Sequence, residues 1–262
     1  MNQPSHMLEA REVVFGYVAG TPVLRSVSLT AAAGRFVCVL GPNGCGKTTL
    51  LRCLLGRLAP SAGRIVLDGR PLGSYSARGL ARMMAYVPQL PASTFAFTVR
   101  EIVLMGRFAH GGPLGLSGAH DEAVARQAMI MTDTLRFAAR TIDELSGGEA
   151  QRVMIARALA QQPHVALFDE PTSHLDIRNQ LTIYRMMGRL AHDWGVAVVC
   201  VSHDINFASR VADELVLMRD GQVVAVGEPS QVIRAETLSA VYDVEIELVP
   251  TGEGSVPMVR AK

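Results

Sequence analysis

Phe36-Val37-Cys38-Val39-Leu40-Gly41-Pro42-Asn43-Gly44-Cys45-Gly46-Lys47-Thr48-Thr49 decides the fold. Its first five residues are continuously apolar, as expected of a strand covered on both faces of a parallel sheet. A glycine-rich loop follows, Gly41-x-x-x-x-Gly46-Lys47-Thr48, and then a helical pattern from Lys47 to Leu58, ended by Pro60 and Gly63. The glycines let consecutive backbone N–H groups turn inward around phosphate oxygens, and the helix adds the positive end of its dipole. Lys47 reaches the β- and γ-phosphates, and the Thr48 hydroxyl is a magnesium ligand. Thr49 completes the candidate cradle. Strand, loop and helix in that order are the context a phosphate loop requires.

Two other apolar runs end in chemistry that suits the same ligand. Asp169 and Glu170 follow Val165 to Phe168, and His203 follows Val196 to Ser202. Ligands of an open parallel sheet sit outside the carboxyl ends of its strands. Three such ends therefore imply one nucleotide site, with Asp169 beside the metal and Glu170 as base toward an attacking water. Leu145-Ser146-Gly147-Gly148-Glu149 opens a further helix, Gly147 to Gln161. Ser146 and Glu149 have capping-box spacing. Capping does not require Gly147 and Gly148, which leave the helix N-terminus bare, as an anion site needs. Because the phosphate loop already holds its own phosphates, this second anion site suits a second nucleotide.

The rest of the chain fits around these points. Leu8 to Tyr17 and Val23 to Leu29 read as antiparallel strands, and Arg64 to Leu67 as another, followed by an Asp68-Gly69 turn. From about Thr94 to Leu145, Met, Ala and Leu dominate, with helices expected at Val99 to Gly106 and Ala119 to Met131. Strand and helix then alternate through Asn179 to His192 and Ile205 to Val211, which argues for right-handed parallel crossovers. A hairpin turns at Asp220-Gly221. The expected fold is α/β: a P-loop NTPase core with a mainly parallel sheet, an N-terminal antiparallel β subdomain and an inserted α-helical subdomain. One domain is expected over 1–262, with 1–93 and 146–262 as core and 94–145 as helical insertion.

Bulk composition narrows the function classes. The 262 residues carry 25 Lys and Arg against 24 Asp and Glu, so no basic excess points to nucleic acid. Cys38, Cys45, Cys53 and Cys200 form no C-x-x-C pair, which disfavours zinc and disulfides. Cys45, inside the loop, reads either as a reactive thiol or as a small filler. His6, His110, His120, His164 and His192 lack metal-ligand spacing. Met1 to Arg11 is polar, so no signal peptide is expected, and no apolar run reaches the ~18–20 residues that span a bilayer.

With these motifs in place, the sequence resembles the ATP-binding subunit of an ABC transporter, from about Leu8 to Val244. Leu145 to Glu149 is similar to the family signature LSGGQ, with Glu149 for glutamine. Gln89, in Tyr86-Val87-Pro88-Gln89, resembles the Q-loop glutamine, a ligand of Mg²⁺ or its water. Ser173-His174-Leu175-Asp176 resembles the D-loop, with His174 for the commoner alanine. His203 resembles the switch histidine on the γ-phosphate, and Tyr17 the aromatic ring that stacks on adenine.

The resemblance implies ATP and Mg²⁺ as cofactors and a head-to-tail pair of identical chains. Each ATP would lie between Gly41 to Thr49 of one chain and Ser146, Gly147, Gly148 and Glu149 of the other, near Asp176. It further implies an integral membrane permease, an indirectly linked substrate-binding protein and a peripheral place on the cytoplasmic face of the inner membrane. Phe95, Phe97, Met105 and Phe108 would suit a groove for the permease. Phe97-Thr98-Val99-Arg100-Glu101-Ile102-Val103-Leu104-Met105-Gly106-Arg107 is similar to the ATPases of importers for ferric siderophores, haem and cobalamin. An iron chelate is the expected cargo, with cobalamin as alternative. A soluble, non-transport ABC ATPase is the competing class.

Overall fold

The computed structural model describes residues 6–89, 97–111, 118–252 and 256–261. In chain order the elements are β1 (His6–Phe15), β2 (Leu24–Ala32), β3 (Phe36–Leu40), α1 (Lys47–Leu54), β4 (Ala62–Leu67), β5 (Arg70–Pro71), α2 (Ala77–Met83) and β6 (Met84–Val87). After these come α3 (Val99–Met105), α4 (Ala119–Met131), α5 (Gly147–Ala160), β7 (Val165–Asp169), α6 (Ile177–His192), β8 (Ala197–Val201) and α7 (Ile205–Val211). The last are β9 (Glu214–Arg219), β10 (Gln222–Gly227), α8 (Pro229–Val232), α9 (Ala235–Tyr242), β11 (Ile246–Val249) and β12 (Met258–Ala261). They fall into two compact units, one up to Ser74 and again from Met187 onward, the other from Tyr75 to Met186.

In the first unit β3 pairs in parallel with β8 on one side and β9 on the other, and β10 closes antiparallel on β9. Every residue of β3 and β8 is buried, as their unbroken apolar runs require. The same unit holds an antiparallel sheet in the order β2-β1-β4-β5 and the β11–β12 hairpin. Val37, Val39, Leu50, Leu51, Leu54 and Val199 belong to its buried core. In the second unit β6 and β7 pair in parallel, Val87 opposite Phe168. Helices α3 and α4 pack on α5, most of which is buried. The chain is thus an α/β protein with mainly parallel central pairing.

Differences from the sequence reading have local causes. Helix α1 stops at Leu54 rather than Leu58 because Gly56 takes a left-handed φ of 71°. Helix α6 starts at Ile177 rather than Asn179 because the Asp176 carboxylate accepts the Asn179 N–H and caps the extra turn. The elements α2, β5, β6, α8, α9, β11 and β12 are further parts of the fold that the sequence reading does not contain. All four cysteines are buried and none is in a disulfide. Among the described residues no helix is long and apolar enough to cross a membrane.

Candidate functional site

In the first unit the phosphate loop leaves the carboxyl end of β3 beside the point where β8 delivers Ser202 and His203. Val39 lies opposite Val201, and the Ser202 N–H donates to the Val39 carbonyl at 3.0 Å. Parallel pairing therefore puts Gly41 and His203 at one end of neighbouring strands. His203 is exposed, and Asp204 after it caps α7 by accepting the Phe207 N–H.

The loop itself is built on close approach. A Cβ on Gly41 would run into the Met218 carbonyl and come within 2.8 Å of Cys45 Sγ. Gly46, at φ 108°, starts α1 without any side-chain cap. Gly46, having no side chain, puts no capping oxygen over the first turn of α1, which is the arrangement a phosphate bound at a helix N-terminus needs. Lys47 is only 5 % exposed, and its Nζ donates to the Gly41 carbonyl at 2.7 Å and the Pro42 carbonyl at 3.0 Å. The ammonium is therefore held over the loop by backbone oxygens.

Other residues that the motif alone did not reveal support the loop from behind. The β9–β10 turn props it, the Gly221 N–H donating to the Cys45 carbonyl at 3.0 Å. Tyr242 on α9 brings a buried hydroxyl against Cys38, Cys45 and the Gly41 backbone, and burial pushes its pKa up. Burial also raises the Cys45 thiol, with Lys47 opposing, so the loop cysteine stays protonated and fills space. Tyr17 is 57 % exposed, edge-on to Phe15, with its hydroxyl 3.4 Å from Thr49 Oγ1. Its open ring is free to receive a flat heterocycle.

In the second unit the parallel pair β6 and β7 delivers two more candidates at one end. Gln89 follows β6 and is exposed; Asp169 ends β7 and is 9 % exposed. The Tyr86 hydroxyl donates to Asp169 Oδ2 at 3.2 Å. Glu170 has φ 45°, a left-handed conformation that costs a non-glycine residue about 1 kcal/mol or more. Ser173 Oγ donates to that carboxylate at 3.1 Å. Within this unit Asp169 and Gln89 offer a carboxylate and an amide oxygen, hard oxygen donors of the kind that suits Mg²⁺.

The same unit carries the signature segment. Ser146 caps α5, and both its N–H and its hydroxyl donate to Glu149 Oε2, at 2.9 and 2.7 Å. Those bonds hold the Glu149 carboxyl below its usual pKa. Gly148 is buried for a reason of its own: a Cβ there would overlap the Asn179 carboxamide. Arg136, Ser146, Glu149, Arg152, Asp176 and Arg178 line a polar cleft of about 390 Å³. Buried Gln151 on α5 donates to the Pro88 carbonyl, and Arg157 to that of Tyr86, so the helix also grips the segment before Gln89.

The remaining expectations divide plainly. Phe97 and Phe108 are exposed at 41 % and 66 %, Met105 is half-buried, and Phe95 lies outside the described residues. Arg107, the last residue of the stretch used to read the cargo, is buried and paired with Asp121. His110 contacts the Gln161 carbonyl and His192 the Asp213 carboxylate, both structural uses. Among the described residues no group of three or more His, Cys, Asp or Glu side chains is arranged to hold a metal.

Comparison with known proteins agrees with this geometry. The family model described as "ABC transporter" matches residues 24–173. The chain is 41 % identical over 250 residues to a hemin import ATP-binding protein of Rhizobium meliloti, covering 92 % of this chain and 94 % of that one. It is 42 % identical over 229 residues to a cobalamin import ATP-binding protein of Halobacterium salinarum, covering 87 % of this chain but only 57 % of that relative. Among solved structures, a metal-chelate-type ABC transporter superposes with TM-score 0.85 at 30 % identity, over 98 % of this chain and 97 % of the other. A dimeric bacterial ABC transporter cassette gives TM-score 0.73 at 30 % identity, over 85 % and 99 %.

Proposed function

This chain belongs to the ABC transporter family and is an ATP-hydrolysing cassette, and from that premise we propose that it is the motor subunit of an importer for an iron chelate, haem first. The observation that carries the ATP chemistry is the uncapped start of α1 with Lys47 held over the Gly41 and Pro42 carbonyls. Gly41 to Thr49 bind the phosphates, Lys47 neutralises the terminal ones, and Tyr17 stacks on adenine. Thr48, Asp169 and Gln89 would hold Mg²⁺, which supplies charge neutralisation on the phosphates.

Glu170 accepts a proton from water as the water oxygen bonds to the γ-phosphorus and the bond to the leaving ADP oxygen breaks. The left-handed backbone at Glu170 and the Ser173 hydrogen bond fix the direction from which that proton is taken. His203 meets the γ-phosphate from the end of β8. Ser146, Gly147 and Gly148 of a second copy complete the site, so ATP binds both chains only when they are paired. That difference in affinity is what drives pairing, and loss of the γ-phosphate releases it.

The cargo reading rests on the hemin import relative, alignable along nearly all of both chains, and on the metal-chelate-type structure. Cobalamin is the second reading, favoured by the match to the cobalamin import protein. The working partner is a separate integral membrane permease, fed by a substrate-binding protein, with this chain peripheral on the cytoplasmic face. Residues 94–145 act as the helical arm that meets the permease, with Phe97 and Phe108 as exposed apolar anchors. The test is reconstitution with the cognate permease and binding protein in liposomes, comparing haem, ferric siderophores, cobalamin and molybdate. Uptake of haem or a siderophore with cargo-stimulated hydrolysis is expected. Response to molybdate alone would refute the cargo, and failure to co-purify with any polytopic membrane protein would favour a soluble ABC ATPase.

A further inference from the structure

We propose that Asn179 is a positioning residue that locks the Asp176 turn to the signature helix α5, so that the two elements present themselves to a partner chain as one rigid surface. The inference rests on the shared-nucleotide reading given above. Its basis is a set of contacts within the second unit. Asp176 accepts the Asn179 backbone N–H through Oδ1 and the Asn179 side-chain Nδ2 through Oδ2, both at 2.8 Å. The other end of the same carboxamide, Oδ1, receives Arg152 Nη1 at 3.5 Å from one turn along α5. Its face lies where a Cβ on Gly148 would have to go.

Arg152 sharpens the case. It is 9 % exposed, lines the polar cleft, and its Nε is buried without a hydrogen-bond partner. Burying a guanidinium is costly unless it is hydrogen-bonded, and Asn179 Oδ1 supplies Arg152 with an acceptor. Alanine would leave the α6 cap standing, because the backbone N–H still reaches Asp176, but would cut every side-chain link to α5. Gly148 then has two reasons to be glycine: room for an anion, and room for the Asn179 amide.

A single set of kinetics separates these roles. Hydrolysis is measured against ATP and against chain concentration for the wild type, Asn179→Ala, Asn179→Asp, Gly148→Ala and Gly148→Ala/Asn179→Ala. The Asp variant keeps the shape but sets a carboxylate against Asp176, with Arg152, Arg178, Arg136, Glu149 and Asp133 as the charged neighbours. Displacing positioning groups by an ångström costs about a hundredfold in rate. Asn179→Ala and Asn179→Asp are therefore expected to lower kcat about tenfold to a hundredfold with the KM for ATP unchanged, and Asn179→Ala to lower the thermal midpoint by a few degrees because Arg152 loses its acceptor.

The drop from Asn179→Ala to the double variant is expected to be smaller than the drop from wild type to Gly148→Ala, since the amide that clashes with the new methyl is gone and only the intrusion on the anion site remains. An Asn179→Ala kcat within about twofold of wild type would overturn the proposal. So would a loss of kcat accompanied by a raised KM, or a Gly148→Ala penalty of the same size in both backgrounds. A wild-type specific activity that does not rise with chain concentration would overturn the shared-nucleotide reading and the lock together. A rise with concentration that the Asn179 variants leave unchanged would overturn the lock alone.

Discussion

Replacing Arg107 with methionine should destabilise the second unit without touching a candidate site residue. Arg107 follows α3 and is 3 % exposed. Its Nε donates to Asp121 Oδ1 on α4 at 2.9 Å, and its Nη1 donates to the Ala160 carbonyl at 2.7 Å and Gln162 Oε1 at 2.9 Å. One guanidinium thus joins α3, α4 and the end of α5. Methionine fills the stem but orphans a fully buried carbonyl, costing about 1–3 kcal/mol, and strips a charged acceptor of its partner, costing about 1.5–3 kcal/mol. Asp121 is 13 % exposed and can rehydrate in part, so the lower half of that sum applies. The expected loss is about 3 kcal/mol, at the bottom of the range for breaking a buried ion pair.

Urea unfolding followed by circular dichroism measures it, with the slope m checked for constancy so that a midpoint shift reads as stability. The pH dependence adds a second handle. Arg107, then the Gly118 N–H, hold the Asp121 carboxyl below its ordinary value of 3.8. A lowered folded-state pKa means stability present above the ordinary value and lost as pH falls through the lowered one. The gap between wild type and variant should therefore be full at neutral pH and shrink in acid, below about pH 4. A loss under about 1 kcal/mol at neutral pH, or a gap that widens in acid, would refute the reasoning.

Other expectations concern the site. Glu170→Gln should lower hydrolysis about 10²–10⁴-fold with ATP binding intact, and a variant retaining more than roughly a tenth of wild-type turnover would contradict the base role. Tyr17→Ala should weaken ATP binding by about 1–3 kcal/mol if the ring stacks on adenine, whereas Tyr17→Phe should bind nearly as wild type; equal losses in the two would assign the effect to the hydroxyl near Thr49 instead. Because burial raises the Cys45 thiol and pushes Cys53 up to about 11, a thiol reagent at neutral pH should label the native chain slowly and the unfolded chain fully. Rapid labelling of one native thiol would show that the phosphate loop opens far more than its packing implies.

Much of the machinery is legible in short stretches of sequence because its physics is local. An apolar run followed by Gly41 to Thr49 can only be a buried strand, a backbone cradle and a helix start, and β3 and α1 lie there. The Ser146 and Glu149 capping box, the Asp220-Gly221 hairpin and the acid at the end of β7 follow from spacings of a few residues. Elements with weak local signals were not legible. The four-residue strand β6 and the seven-residue helix α2 owe their existence to neighbours supplied by β7 and by α5.

The stretch Phe97 to Arg107 shows the limit from the other side. As a string it reads as a mark of cargo, yet most of it serves packing. Thr98 and Glu101 form a capping box, and Val99, Ile102 and Val103 are core. Gly106 is glycine because a Cβ would strike the Arg157 carbonyl, and Arg107 is a buried brace. Phe97, Arg100 and Glu101, with Phe108 beside the stretch, are the residues that face outward in the described part. Sequence alone determined the family, the glycine-rich loop after β3 and the acidic pair at the end of β7, because these depend on residue type and near spacing. Tertiary structure alone decided that Asn179 fills the space Gly148 leaves, that Arg107 joins three helices and that Tyr242 backs the loop. Those pairings lie far apart along the chain, and no local propensity encodes which buried groups will meet.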